Sequence, residues 1–372
     1  MLTGFRFIEL NQNINTLVKT LQTELEVSRP YTFLSRLPIV DTENGEVFGT
    51  YDGQVFAADV IADDQEAVIV EGGSYQTFRA GQIPKVKLGS RVGEGMIRQL
   101  QNLSDSVNIT DGDAELITGW ENRMALNLVE GIRTRMNVLA CAMMLDDVSY
   151  DKLGIKIDGS WNTPADLKVV LSGADRWIAG NVNATPLADI REMQRVARTY
   201  GQVYDRITMS GDTFLAVTQT TEFHDNISFL YRFEVPAGAI PTSTRTLVEL
   251  FEQMTGLTLE LEDSTFRERN DKGNNVIQRV FPENKVLFSN SADDGNASVM
   301  DYSNGTVIES LVAPLANAAI REAVGGEQRG PYAYYNCNPT LNPPDLVAWA
   351  VQSGWPRKHV PEATATFTMN TV

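Results

Sequence analysis

Residues 33–145 constrain the fold of this chain more than any other part of the sequence. The segment from Val55 to Leu88 is predicted to form two extended arms around the tip Gly72-Gly73-Ser74, with too little apolar surface for a core of its own. A long hairpin that cannot bury itself serves little purpose in a monomeric enzyme, whereas a subunit that lies across its neighbours requires such an element. The pattern therefore favours a structural subunit over a monomeric enzyme.

The hairpin leads into a long amphipathic helix, predicted from Ala114 to Leu145 with Asp111-Gly112-Asp113 as its N-cap. At 1.5 Å per residue such a helix is about 48 Å long, so it must pack along its length, most simply on a sheet. Gly119 and Gly131 weaken it slightly. Its apolar stripe consists of Ile117, Trp120, Met124, Leu128, Ile132, Met136, Leu139 and Met143.

The remaining elements alternate between helix and strand, which predicts an α+β or α/β unit over residues 185–340. A proline at the first helical position and a glycine after the last one mark the helix from Pro186 to Gly201. Alternating Thr with Ala, Phe and Met predicts a final strand that adds to an existing sheet. The predicted helices are 11–26, 186–200, 244–255 and 307–324 (broken near Pro314), and the predicted strands are 257–261, 276–280, 285–289 and 363–372.

Composition excludes several classes of protein. The net charge of -17 argues against tight nucleic-acid binding, which requires an excess of lysine and arginine, although an acidic protein can still surround DNA that it repels. Cys141 and Cys337 are too few for a disulfide framework, and Cys141 is expected in the core. No secretory signal or membrane-spanning stretch is found, so folding in a reducing cytoplasm is expected.

The inventory of catalytic groups is nearly empty. His224 and His359 are isolated, and His359 is expected in a solvated basic patch with Arg357-Lys358. No zinc, nucleophile-elbow, phosphate-loop or dinucleotide motif occurs, and the turn 292–296 lacks the ligand spacing of a calcium loop. The sequence therefore predicts no catalytic, cofactor or metal site. Glu249, Glu252, Glu260 and Glu262 could include a paired-carboxylate site, but the spacing of the first two predicts an exposed helix face and that of the last two the solvent side of a half-buried strand. The aromatic residues predicted to lie in an interface or the core are Tyr332, Tyr334, Tyr335, Trp349 and Trp355.

Several segments, taken in order, resemble the lambda-type major capsid proteins of tailed phages, which have the HK97 fold. The resemblance covers most of the chain and lies in the joint order of motifs that are weak alone. They are Phe33-Leu34-Ser35-Arg36-Leu37-Pro38, Gly72-Gly73-Ser74 with Phe78, Pro84-Lys85-Val86-Lys87, Pro282-Glu283-Asn284-Lys285-Val286-Leu287, and the tail residues Gln352-Ser353, Pro356 and Pro361-Glu362.

The resemblance implies an α+β HK97-like capsid fold made of named parts. Residues 1–40 would be an N-arm, 41–95 an extended β-hairpin called the E-loop, 96–184 a peripheral domain with the long spine helix, and 185–340 an axial domain. Residues 341–372 would return to the peripheral domain. The E-loop would lie over the adjacent subunit, with intersubunit contacts expected at Tyr75, Phe78, Arg79, Lys85 and Lys87.

The function that the resemblance implies is a non-enzymatic major capsid protein. Copies would assemble into hexamers and pentamers in the host cytoplasm and form the icosahedral shell of the virion around double-stranded DNA, without sequence specificity and without a membrane. A portal, a separate scaffold (no long scaffold-like leader precedes the N-arm) and, where one exists, a decoration or cement protein would be further partners. Some relatives join subunits through a lysine–asparagine bond, for which Lys85 and Lys87 lie on the corresponding segment.

Two alternatives remain open from the sequence. An encapsulin-like compartment would have the same fold with an enzyme cargo in place of a genome. A carboxylate-dependent hydrolase would leave residues 1–95 without a function. A docking site for a cargo peptide would distinguish the first, and a monomeric state would favour the second.

Overall fold

The structure is a computed structural model, and the long helix that the sequence predicts is its longest element. It describes residues 31–42, 76–77, 85–92, 95, 111–152, 155–159, 161–178, 180–230, 243–269, 274–307, 330, 332–338 and 345–369. The described helices are α1 (Asp111–Met144), α2 (Pro186–Thr199), α3 (Gly211–Thr218), α4 (Thr221–Leu230) and α5 (Thr244–Thr255). Short 3-10 helices span Leu34–Arg36, Ala165–Leu167, Gly173–Asp175, Ser291–Asp293 and Pro361–Ala363.

The described strands form separate sheets and are numbered in chain order. They are β1 (Ile39–Asp41), β2 (Gln76–Thr77), β3 (Lys85–Val92), β4 (Val148–Lys152), β5 (Ile155–Gly159), β6 (Lys168–Leu171), β7 (Arg206–Met209), β8 (Thr258–Leu261), β9 (Thr265–Arg269), β10 (Asn275–Arg279), β11 (Lys285–Ser289), β12 (Met300–Gly305), β13 (Tyr332–Asn338), β14 (Asp345–Lys358) and β15 (Thr364–Met369). The α+β class is confirmed.

The chain divides into two compact units, and the division falls inside α1, inside β12 and inside β14. The first unit contains the described residues of 1–47, 81–139 and 301–356, and the second contains those of 48–80, 140–300 and 357–372.

In the first unit, β1, β12, β14 and β13 form a sheet in that order, and β3 also pairs with β14. Gly131 of α1 lies so close to Leu88 of β3 that an added Cβ would collide with the leucine side chain. The described side chains of the predicted helical stripe, from Met124 onward, are all buried. The expected packing of the helix on a sheet is therefore confirmed, and this contact gives Gly131 a reason to be glycine.

The second unit is built around a sheet with the order β6-β15-β11-β7-β8. Apolar faces of α2 and α5 pack with it into one core, in which Phe288 and Phe367 meet edge to face at 5.1 Å between ring centroids. Trp177 adds a second edge-to-face contact to Phe367 and donates its indole N–H to Asp189 at 2.9 Å. Two smaller sheets, β2-β5-β4 and β9-β10, belong to the same unit.

Local sequence signals predicted the ends of several elements to within a few residues. The helix α5 ends at Thr255, and Gly256 follows it with φ +70°, a conformation that glycine adopts without strain. Strand β15 pairs with β11 on one side and β6 on the other, so the predicted strand in the tail is confirmed. Cys141 is a free, buried core residue, as expected. The predictions for residues 11–26 and 308–324 lie outside the described residues. So do residues 55–75 and 78–84 of the predicted hairpin.

Candidate functional site

Two of the five predicted contact residues lie on β3, which belongs to the predicted loop and pairs with β14 of the sheet. Tyr75, Phe78 and Arg79 lie outside the described residues, whereas Lys85 and Lys87 are described and exposed. The strand runs antiparallel to β14, with Lys85 opposite Ser353 and Lys87 opposite Val351. Their role between subunits stays a prediction.

Lys87 is held by aromatic side chains of its own chain. Its Nζ donates to Tyr334 Oη at 2.9 Å and lies 4.6 Å from the centroid of the Trp349 ring. Tyr334 and Trp349 are opposite each other in the register of β13 and β14. A lysine over a tryptophan face is attracted by the ring quadrupole, with about 0.5–1 kcal/mol at an exposed site. The contact fixes Lys87 on the sheet near the end of the predicted loop.

Gly89 creates the room for this aromatic contact. It lies opposite Trp349 in the register of β3 and β14. An added Cβ would collide with the six-membered part of the indole ring, so the ring crosses the strand where no side chain stands in its way. The sequence signal for this arrangement is a glycine in a strand pattern, which indicates close approach by another group.

The segment 33–37 is fixed to α1 in the same unit. Asn137, buried in the helix, accepts hydrogen bonds from the backbone N–H groups of Phe33 and Leu34, both at 3.0 Å, through its Oδ1. Phe33 is fully buried, and the Arg36 guanidinium lies 5.3 Å from the centroid of its ring. Sequence reasoning missed Asn137, because a lone asparagine inside a helical stripe has no distinctive pattern.

In the second unit, a lysine is buried at the end of β14. Lys358 is 6% exposed, and its Nζ donates to Thr163 Oγ1 and Thr364 Oγ1, each at 2.8 Å. Burial lowers the pKa of this amine to about 7, although Asp146 and Glu362 favour its charged form. The predicted solvated basic patch is therefore wrong for Lys358, while the neighbouring His359 is exposed. This burial was not predictable from the sequence, because a lysine beside an arginine and a histidine normally indicates a surface.

Asp146 lies in the turn after α1 with φ +50° and is one of the two carboxylates that favour the charged form of Lys358. Burial opposes its ionisation, but hydrogen bonds from Lys168 Nζ at 2.8 Å and from the Trp161 N–H at 2.5 Å outweigh it and lower its pKa. The two lysines and the aspartate therefore form a fixed polar group between the end of α1, β6 and β14. The contacts given above for these three side chains are to other groups of the same unit, so the polar group has a structural role.

The four glutamates considered for a paired-carboxylate site make separate structural contacts. Glu249 pairs with Arg245 at 3.2 Å on an exposed helix face, as expected. Glu252 accepts from the Leu259 N–H at 2.9 Å, which joins α5 to β8. Glu260 accepts from Thr208 Oγ1 at 3.2 Å, and Glu262 from the Ser264 N–H at 2.9 Å. Glu260 is half-buried, which fits the predicted solvent side of the strand, but the prediction is wrong for Glu262, which is 7% exposed.

The acidic turn at residues 292–296 is also held by protein groups. Asp294 pairs with Arg206 at 2.7 Å, and Asp205 accepts from the Ser291 N–H at 2.7 Å. Burial raises the pKa of Asp293, and Asp294 and Asp205 add to the effect. Within the described ranges, no three His, Cys, Asp or Glu side chains are grouped to hold a metal ion, and no helix is long and apolar enough to cross a membrane.

Comparison with known structures places this fold among capsid proteins. A protein assigned as the capsid protein of a prophage in Escherichia coli is 12% identical, with a TM-score of 0.52 over 95% of this chain and 99% of that one. A phage-related protein of Bordetella bronchiseptica is 13% identical, with a TM-score of 0.48 over 94% and 96%. An encapsulin of Synechococcus elongatus is 12% identical, with a TM-score of 0.39 over 94% and 92%.

The α+β fold, with the long helix α1 packed on a sheet, is that of the HK97-like capsid proteins, as predicted. The family model of phage major capsid protein E matches residues 48–302, more than half of the chain. The chain belongs to the phage major capsid protein E family, and its function is that of a capsid shell protein. None of the curated proteins matches it in sequence.

Proposed function

We propose that this chain is the main subunit of a tailed-phage virion, whose copies form hexamers and pentamers of an icosahedral shell around double-stranded DNA. The match of the capsid family model over residues 48–302 is the observation that carries this proposal. The shell assembles in the host cytoplasm, with a scaffold and a portal as partners and a decoration or cement protein where one exists. The chain performs no catalysis in this role, because assembly requires surfaces and not a reactive site.

The subunit is organised for this role as the sequence predicts. Residues 1–40 form the N-arm, 41–95 the E-loop, 96–184 and 341–372 the peripheral domain, and 185–340 the axial domain. The E-loop lies over the adjacent copy, and Tyr75, Phe78, Arg79 and Lys85 contact it. For Lys87, the fifth predicted contact residue, we propose support of the loop from within its own chain instead, since its amine bonds Tyr334 at 2.9 Å. Copies repeated by symmetry turn modest contacts into a closed shell.

The net charge of -17 supports a container for DNA instead of a DNA-binding protein. Tight binding of duplex requires lysine and arginine that displace counterions from phosphates, and this chain has 31 such residues against 48 acidic ones. An acidic wall repels the duplex, which leaves packaged DNA free to slide during packaging and ejection.

Negative-stain electron microscopy and sedimentation of the full chain, alone and co-expressed with the genes beside its own, test the proposal. Closed shells or hexameric rings are expected, and shells isolated from infected cells should have the ultraviolet spectrum of nucleic acid. A uniform monomer under all of these conditions would contradict the shell. Shells filled with protein, and without nucleic acid, would contradict the virion in favour of a cargo compartment.

A further inference from the structure

The antiparallel strands β9 and β10 form a two-stranded ribbon (residues 265–269 and 275–279) in the second unit. Within the described part of the chain, each strand pairs only with the other. An isolated two-stranded hairpin is only marginally stable in water, so an additional contact must hold such a ribbon in place. One such contact lies at its base.

Arg279, at the end of the ribbon, joins three carboxylates. Its guanidinium contacts Asp212 and Asp263 at 2.8 Å each and Glu283 at 2.7 Å. Asp263 also accepts from the backbone N–H of Gly211 at 3.0 Å, at the start of α3. The base of the ribbon is therefore fixed to its own unit. One arginine among three carboxylates leaves an excess of negative charge, and the three side chains are 65%, 51% and 58% exposed.

Further along the ribbon, one face carries an apolar side chain and a cation. Ile277 lies opposite Arg267 in the register, so both side chains project from the same face. Ile277 is 65% exposed, and Arg267 is exposed as well. Among the described residues, no carboxylate forms an ion pair with Arg267. The face formed by Arg267 and Ile277 therefore has an apolar contact and a positive charge available for a partner.

We propose that this ribbon face docks on a second copy of the chain, with Arg267 at the carboxylate cluster formed by Asp212, Asp263 and Glu283 of that copy. The inference rests on the proposed function, which supplies many copies at close range. Charge complementarity supports the choice of occupant, because the positive face and the negative cluster are present on the same chain. The two surfaces are different, so the contact is heterologous, and heterologous contacts generate the rings from which shells are built.

Shell formation by the full-length chain, with its assembly partners if it needs them, tests the contact. Ile277→Asp and Arg267→Glu are each expected to raise the concentration needed for assembly at least about tenfold, since each removes one part of the docked face. Val203→Asp is the matched control, because Val203 is a 64% exposed valine of the same unit outside the ribbon. Thermal unfolding of the unassembled variants should match that of the wild type, since all three side chains are exposed.

A charge exchange makes the test specific. Asp212 is the most exposed of the three carboxylates, and its removal leaves Arg279 paired with Asp263 and Glu283. Asp212→Arg alone should impair assembly, and the double variant Arg267→Glu with Asp212→Arg should restore it, a result that a purely structural role would not produce. Wild-type assembly by both ribbon variants, equal impairment by Val203→Asp, or a double variant no better than its parents would overturn the inference. A wild-type chain that forms no shell would overturn the proposed function as well.

Discussion

At the scale of single residues, two lysines that are two positions apart on one strand have different surroundings. Lys87 bonds Tyr334 and lies over Trp349, whereas the exposed Lys85 is two residues nearer the tip of the predicted loop. Lys87→Ala should lower the free energy of unfolding of the subunit by about 1 kcal/mol, because it loses a cation–π contact and a hydrogen bond. Lys85→Ala should weaken assembly, because the side chain is an exposed predicted contact with the adjacent copy. Urea unfolding and sedimentation of both variants measure these effects.

The opposite pattern, with Lys85→Ala destabilising the subunit and Lys87→Ala weakening only assembly, would contradict these roles. Lys87→Arg is a useful third variant, since a guanidinium keeps the charge over the ring. It should retain most of the stability that alanine loses.

Lys358 should make stability depend on pH between neutral and alkaline values. Burial lowers the pKa of its amine to about 7 in the folded state, while the unfolded chain has an ordinary lysine with a pKa of 10.5. Between these values the unfolded state binds more protons, so the free energy of unfolding rises with pH through this window. The contribution is on the order of a few kcal/mol, and it is lost below the folded pKa, where the buried amine must be charged.

Lys358→Met removes this titration and should flatten the rise from pH 7 toward pH 10.5, as seen by urea unfolding at several pH values. Lys85→Met is the control, because that lysine is exposed. Equal slopes for the wild type and Lys358→Met would show that the amine at position 358 does not titrate in this range.

At the scale of elements, Asn137 joins α1 to the segment that precedes β1. Its Oδ1 accepts two backbone N–H groups, from Phe33 and Leu34. Asn137→Ala should cost about 1–3 kcal/mol, since two buried donors lose their acceptor. Faster hydrogen exchange at residues 33–37 is the expected local result. Ser35→Ala removes only an exposed hydrogen bond to the Thr32 carbonyl and serves as control; exchange accelerated equally in both variants would argue against the anchor.

Elements with strong local signals were predictable from the sequence. The strand Lys285–Ser289 and the helix Thr244–Thr255 have the predicted bounds, because alternation and a terminal glycine determine them locally. The long helix was predicted from Ala114 to Leu145 and runs from Asp111 to Met144. Its start differs because the acidic residues assigned to the cap continue the helix instead of preceding it.

Elements stabilised by distant partners were not predictable. Strand β14 continues through Pro356 to Lys358, although proline has no N–H to donate to a strand ladder and is normally confined to strand edges. The helices α3 and α4 also escaped prediction, being short and separated by only two residues. For the candidate site, the sequence indicated Lys85 and Lys87 through family resemblance, but the contact of Lys87 with Trp349 and Tyr334 depends on the register of three strands. No local pattern encodes that register.

At the scale of the whole molecule, net charge sets a repulsion that assembly must overcome. Each copy carries -17, and a shell places many such copies side by side. Local contacts such as the proposed ribbon contact are attractive but few, whereas the repulsion acts between all neighbours. Screening by salt weakens both, and the longer-range repulsion weakens more because exposed charges beyond one Debye length cease to interact.

Assembly should therefore be more complete at higher ionic strength. Raising sodium chloride from about 0.05 to about 0.5 M shortens the Debye length from about 14 to about 4 Å, which should lower the protein concentration at which shells form. Light scattering and sedimentation across a dilution series measure this concentration. Magnesium chloride at matched ionic strength is the control, since general screening predicts the same effect while a specific cation effect predicts a larger one. Less assembly at high salt would mean that ion pairs between copies, including Arg267 with its proposed carboxylates, outweigh the net repulsion of the acidic chain.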